Sequence, residues 1–293
     1  MAGFLQQIVE GLGAGAIYAS LALALVLIYQ FTGIVNFAQG ELAMFSAYIA
    51  WQFIAGGLSF WPALGLTLAV SFVGGMLIER LVIRPVEGAP ELTVVIVTVG
   101  LFIFVNAAAG WIWTFLIKDF PNPFPAGAIE AGGLSVGYST LGILVVVAVV
   151  MGLLYVLFQH TKIGLGMRAV ATNPESARLV GIRVGWTLAL GWGLAATVGA
   201  VSGILVAPLL FLEPNMMGGV LIYAFAAATL GGFDSPVGAV VGGLVVGVAE
   251  TLAGAYVGFI GPDLKVGVPL VIILCILLLR PQGLFGRAVV DRT

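Results

Sequence analysis

Long apolar runs, broken by short polar segments, recur along the whole of this 293-residue chain. The near-continuous tracts are Gly11–Tyr29, Phe60–Ile78, Thr93–Ile117, Thr140–Phe158, Thr187–Val206 and Val237–Ala255. Each is close to the roughly 17–25 residues that an α-helix needs to cross a bilayer. Shorter tracts at Leu42–Ala55, Met216–Leu230 and Gly267–Leu279 read as weaker crossings inside a bundle. The strict alternation of an outer-membrane barrel is missing from all of them. The pattern predicts an all-α, polytopic transmembrane helix bundle of about eight or nine membrane segments, the lower count applying if Leu42–Ala55 is re-entrant. Residues 1–293 are expected to form a single membrane domain, since the longest hydrophilic stretch, residues 160–185, is too short to bury a core of its own.

Two weakly repeated halves can be seen in the same pattern. In the first, a helix gives way to the polar break Asn36-Phe-Ala-Gln-Gly-Glu41 and then to another helix; in the second, Gly231-Gly-Phe-Asp-Ser-Pro-Val-Gly238 occupies the corresponding place. Paired interruptions of this kind point to a transport path. Asn36, Phe37, Gln39, Glu41 and Asp234 are the candidates to line it. Glu41 and Asp234 have a second reading, as caps of the helices that follow the breaks, and the two roles are compatible. Glu250, inside or near the end of an apolar tract, is the third acidic residue that costs energy at membrane depth. Small-residue patterns such as Gly11-Leu-Gly-Ala-Gly15, Gly238-Ala-Val-Val-Gly242 and Gly243-Leu-Val-Val-Gly247 predict close helix crossings.

Composition agrees with lipid as the main solvent: 61% of residues are hydrophobic and 8% charged, against about a quarter charged in soluble domains. The net charge of -2 implies no nucleic-acid partner, and its distribution says more. Arg80 and Arg84, then Lys162, Arg168, Arg178 and Arg183, then Arg280, Arg287 and Arg292 account for nine of the eleven basic residues. The positive-inside rule puts these three segments, and so the C-terminus, in the cytoplasm. Loops Lys118–Gly137 and Gly261–Lys265 fall outside. Three tracts before Arg80 put the N-terminus outside, and a start without basic residues does not resemble a cleaved signal peptide.

Little in the chain suggests catalysis. Cys275 is the only cysteine and His160 the only histidine, so neither a redox pair nor a metal site is expected within one chain. His160 reads as an interfacial residue, as do Trp111, Trp113 and Trp186 in the aromatic belt. No glycine-rich stretch leads into Gly-Lys-Ser/Thr. If ATP drives this protein, another chain hydrolyses it, and no cofactor is expected on this one.

The segment 160–185 contains a short helix marked at both ends. Asn173 is a good N-cap, Pro174 suits the first helical position and Glu175 the positive end of the helix dipole. Gly181 supplies the stop. About two turns lie between, with Glu175 and Arg178 paired three residues apart and a small apolar surface from Ala177, Leu179, Val180 and Ile182. So short a helix is marginal in water, so its own bundle or a partner must hold it.

This segment, Gly166-Met-Arg-Ala-Val-Ala-Thr-Asn-Pro-Glu-Ser-Ala-Arg-Leu-Val-Gly-Ile182, resembles the coupling loop of bacterial ABC importer permeases of the branched-chain amino acid type. Gly13-Ala-Gly-Ala-Ile-Tyr-Ala-Ser-Leu-Ala-Leu-Ala24 with Gly33-Ile-Val-Asn-Phe-Ala-Gln-Gly-Glu41, the stretch Gly231–Gly243, and the tail Leu279-Arg-Pro-Gln-Gly-Leu-Phe-Gly286 also resemble motifs of that family, in order along the chain. Gln39 departs from the pattern, since many members carry histidine there and an amide cannot carry charge. The resemblance implies a permease subunit in the bacterial inner (cytoplasmic) membrane, working by alternating access. It implies a cytoplasmic ABC ATPase that binds ATP, a homologous second permease subunit and an extracytoplasmic solute-binding protein as partners. Arg168, Asn173, Pro174, Glu175, Ala177, Arg178, Leu179, Val180, Gly181 and Ile182 would carry the ATPase coupling. Branched-chain amino acids are the implied cargo, with urea or short amides carried by related permeases. The alternative reading is a stand-alone secondary transporter or channel for a small solute.

Overall fold

The computed structural model describes residues 2–258, 260–261 and 264–286. Part of the predicted outer loop Gly261–Lys265, and Arg287 and Arg292 of the third basic segment, lie outside these residues. All six long tracts are helices: α1 (Ala2–Thr32), α3 (Phe60–Ile78), α4 (Glu91–Trp113), α5 (Tyr138–His160), α8 (Val184–Leu210) and α10 (Pro236–Tyr256). Each is long and apolar enough to cross a membrane. The shorter tracts are helices too: α2 (Gln39–Ala55), α9 (Met217–Gly231) and α11 (Gly267–Leu279). Two further helices, α6 (Lys162–Thr172) and α7 (Pro174–Leu179), fill the hydrophilic segment before α8.

The described residues also form a hairpin, β1 (Ala128–Ala131) and β2 (Leu134–Gly137), paired antiparallel, and an isolated antiparallel bridge between Lys118 and Leu212. Gly132 and Gly133 join the strands with φ of 61° and 82°, the backbone of the tight turns whose twist matches that of a strand pair.

Two compact units emerge from the packing. One comprises the described residues of Met1–Val26, Phe124–Val145 and Gly219–Thr293. In it α1 and α10 cross through the glycines that the sequence singled out. A side chain at Gly11 or Gly15 would meet the backbone of Gly243, Leu244, Gly247 or Val248, and one at Gly247 would meet that of Gly11 and Gly15. Such contact is available only to residues without a Cβ, and it is how helices gain dispersion energy in a medium as apolar as their own side chains. The second polar break and the C-terminal tail motif also meet here. Leu284 N–H donates to the Leu230 carbonyl (2.8 Å) and Phe285 N–H to that of Gly231 (3.1 Å).

The other unit comprises Leu27–Pro123 and Val146–Gly218. Helix α8 is its core, buried on most of its surface from Val184 to Ala207 and packed along α2 and α3. Close approach again rests on small residues, Gly203 against the Ala43 backbone and Gly75 against that of Trp192. Helices α3 and α4 and the later part of α5 expose aliphatic side chains such as Leu77, Ile103 and Leu153, as lipid-facing surfaces do.

Candidate functional site

The hydrophilic segment folds as a helical pair. Thr161 caps α6, its hydroxyl accepting from Gly164 N–H at 3.0 Å. Gly164 lies against the backbone of Leu157 and Phe158, while Met167 and Val170 turn inward. Asn173 then caps α7 as the sequence predicts, its side-chain oxygen accepting from Ser176 N–H at 2.9 Å, with Pro174 in the first turn. Gly181 ends the element at φ 85°, a left-handed conformation that glycine adopts without strain. Glu175 and Arg178 pair at 3.7 Å, both exposed, and such a surface pair contributes little to stability.

The four apolar residues expected to form one surface are divided. Ala177 is buried with Phe31, Met167, Val170, Val184 and Leu188, and Ile182 packs against that cluster. Leu179 and Val180 point away, 88% and 76% exposed. Arg168 is exposed on α6, where its guanidinium donates to the Gln159 side chain at 3.0 Å. The short helix is thus held by its own bundle, and it presents two adjacent aliphatic side chains at its free end.

The first polar break packs into the same unit. Asn36 Oδ1 accepts from Ala38 N–H (3.0 Å) and its amide donates to Gln39 Oε1 (3.2 Å). Gln39 in turn donates to the Ala195 carbonyl of α8 at 3.1 Å. Two residues on, Glu41 Oε2 accepts from Asn106 Nδ2 (3.1 Å), which also donates to the Pro214 carbonyl at 2.9 Å and lies 3.3 Å from the Asn215 side-chain oxygen. Asn36, Gln39 and Glu41 are all buried and Phe37 half-buried. Asp234 is exposed and belongs to the other unit.

The capping reading of the two acids is corrected. Ser235, not Asp234, caps α10, its hydroxyl accepting from Gly238 N–H. The cap position of α2 is Ala38, without a side-chain bond, and the Glu41 carboxylate turns to Asn106 instead. A buried carboxyl group needs a hydrogen-bond donor, and Asn106 supplies one to Glu41 while the Asn36 side chain closes the turn ahead of α2. Asn106, a lone amide in the apolar tract Thr93–Ile117, was the available sequence signal.

Glu250 gains partners that the sequence did not disclose. Tyr18 donates to its Oε2 at 2.9 Å and Tyr223 to its Oε1 at 3.3 Å. The two rings stack at 4.5 Å between centroids, 6° from parallel. Two phenol hydroxyls thus satisfy a buried carboxyl group that would otherwise cost free energy in an apolar setting. Y18F is expected to lower the stability of the detergent-solubilised protein by roughly 1–2 kcal/mol. Thermal unfolding checks this, and an unchanged midpoint would remove Tyr18 from the account. His160 ends α5 with its ring edge-on to Tyr155, and among the described residues no three His, Cys, Asp or Glu side chains gather as metal ligands.

Long apolar helices with buried amide and carboxyl groups, joined to a capped polar hairpin of helices, define a multi-pass α-helical membrane protein. The family model for the permease component of branched-chain amino acid transport systems matches residues 7–277, and the chain belongs to that family as a permease subunit of an ABC importer. It is 31% identical over 305 residues to the high-affinity branched-chain amino acid transport system permease protein LivH of Escherichia coli K12, covering 99% of this chain and 97% of that protein. It is 32% identical over 303 residues to BraD of Pseudomonas aeruginosa, a permease of the same description, covering 99% and 98%. The solved structure of PsaBC from Streptococcus pneumoniae in complex with Fab matches with a TM-score of 0.50 at 15% identity, over 95% of this chain and 92% of that one. At that identity the likeness concerns the fold alone. The family is one of transport permeases rather than enzymes.

Proposed function

We propose that this subunit moves branched-chain amino acids across the bacterial cytoplasmic membrane by alternating access, with ATP bound and hydrolysed by a cytoplasmic partner. The carrying observation is α7: a capped helix, anchored by Ala177, that leaves Leu179 and Val180 exposed at its end. Two adjacent aliphatic side chains on a rigid helix suit a groove of an ATPase subunit. The charged and polar residues around them, Arg168, Glu175 and Arg178, form its rim. A second homologous permease subunit shares the path, and an extracytoplasmic binding protein delivers solute to it.

In this reading the whole chain is one permease domain. The six long helices with α2, α9 and α11 make nine membrane segments, with the N-terminus outside and the basic segments and C-terminus in the cytoplasm. Asn36, Phe37, Gln39, Glu41 and Asp234 line the solute path, and the chain itself needs no cofactor. The branched-chain cargo is supported by the two relatives' descriptions, which extend over nearly the full length.

Deleting Asn173–Gly181 is expected to abolish co-purification with the ATPase and, because Ala177 leaves its buried cluster, to lower the thermal midpoint without unfolding the membrane helices; retained association overturns the docking role. Solute-stimulated ATP hydrolysis by the assembled importer, across leucine, isoleucine, valine and urea, tests the cargo. Stimulation by urea alone would reassign it.

A further inference from the structure

At the end of α3 the chain does not stop cleanly but passes through a π-helical turn, Glu79–Ile83, and a 3₁₀ turn, Arg84–Val86. Residues five apart on a straight α-helix point about 140° away from each other. The wider π turn brings Arg84 back over Glu79 instead. Its Nε donates to Glu79 Oε1 at 3.1 Å and its Nη2 to Oε2 at 3.0 Å, a two-pronged pair with the carboxylate almost fully buried. The same Nη2 donates to the Gly185 carbonyl at 2.5 Å. Isolated π turns are uncommon and recur at functional positions, and this one serves to aim a guanidinium at two helices at once.

Gly185 lies in the first turn of α8, four residues beyond the Gly181 stop of α7. The two helices share the cluster of Ala177, Val184 and Leu188, so a displacement of α7 reaches the base of α8 directly. Beside them is a cavity of about 320 Å³, lined by Phe31, Glu79, Arg84, Pro174, Val184 and Trp192 among others. The base of α8 therefore has open space on this side, bridged to the end of α3 by Arg84. A bidentate guanidinium is directional in a way that an ammonium is not, which suits it to holding two helix ends in register.

We propose that Arg84 is a positioning residue that transmits movement of α7 through the base of α8 to α3, coupling ATP hydrolysis to solute movement. The inference rests on the docking role of α7 given above. Two variants test it in the complete importer, reconstituted in proteoliposomes with its ATPase and binding protein, with leucine uptake measured per ATP hydrolysed. R84Q removes the guanidinium but leaves the Glu79 carboxylate buried without a counter-charge, so its folded yield falls. Gly185→Val leaves both charged members of the Arg84–Glu79 pair in the chain and puts a branched side chain where the guanidinium meets α8, since even a Cβ there would lie 3.1 Å from Nη2. G185V is expected to assemble in normal yield and hydrolyse ATP, while uptake per ATP falls about fivefold or more. R84K, with its charge but not its fork, should fall between wild type and R84Q. An unchanged ratio in both R84Q and G185V overturns the inference. So does a parallel fall of uptake and hydrolysis, which a purely structural role would give. Absence of ATP-driven uptake by the wild-type complex overturns the docking reading together with this one.

Discussion

The double variant L179D/V180D should fold as the wild type does and fail to retain an ATPase subunit. Both side chains are largely exposed in the permease, so replacing them removes almost no buried apolar area and leaves intramolecular stability nearly unchanged. In a complex the balance reverses. A helix of six residues offers few anchors, and binding energy concentrates in the few side chains that become fully desolvated. Two carboxylates in their place would have to be buried without partners. A loss of about 3 kcal/mol or more is expected, at least about 100-fold in affinity. Co-purification from the membrane, with the thermal midpoint of the permease measured alongside, separates docking from folding. A177D supplies the contrast: Ala177 is buried among Phe31, Met167 and Val184, so it should lower the midpoint as well as the docking. Full ATPase retention by L179D/V180D would sink the assignment of α7.

How much of this was legible in the sequence follows from the range of each interaction. Membrane helices announce themselves through local hydropathy, and Phe60–Ile78 and Gly267–Leu279 have in the structure the bounds of their tracts. Helix α1 begins earlier than its tract because hydropathy does not register hydrogen bonding: Gln6 and Glu10 interrupt the apolar run, yet their side chains bond to one another and that of Gln6 also to the Ser135 carbonyl. The capped helix α7 was legible because Asn173, Pro174 and Gly181 each fix a local backbone geometry. Helix α6, next to it, contains Gly164 and Gly166, which lower helix propensity by about 1 kcal/mol each relative to alanine; packing of Met167 and Val170 overrides that. The hairpin was not read from the sequence, in which Lys118–Gly137 stood as an outer loop; its turn falls at Gly132-Gly133. What a single sequence did not carry was pairing at a distance. Glu250 lies 232 residues from Tyr18 and Glu41 65 from Asn106, and no periodicity links them. The division of the apolar set on α7 into an inward Ala177 and an outward Leu179 likewise depends on where α8 lies.

The glycine crossing of α1 with α10 should tolerate added side chains poorly. Gly11 and Gly15 on one helix and Gly243 and Gly247 on the other are each spaced by one helical turn, so each pair forms a flat strip. A Cβ at Gly247 would fall on the backbone of Gly11 and Gly15. Backbone cannot rotate away as a side chain can, so the helices must separate and the dispersion contacts along the whole crossing are lost. Overpacking commonly costs about 1–3 kcal/mol; with backbone on both sides, G247V should reach the top of that range or exceed it. G152V makes the same change in α5 where nothing lies within 4 Å, and it should be silent. Size-exclusion yield and thermal midpoint of the two variants therefore compare one substitution in two environments. G247V is expected to lose most of its monodisperse protein and G152V almost none. Equal yields and midpoints would mean that the close approach contributes little, and that the small-residue strips of α1 and α10 are incidental to the fold.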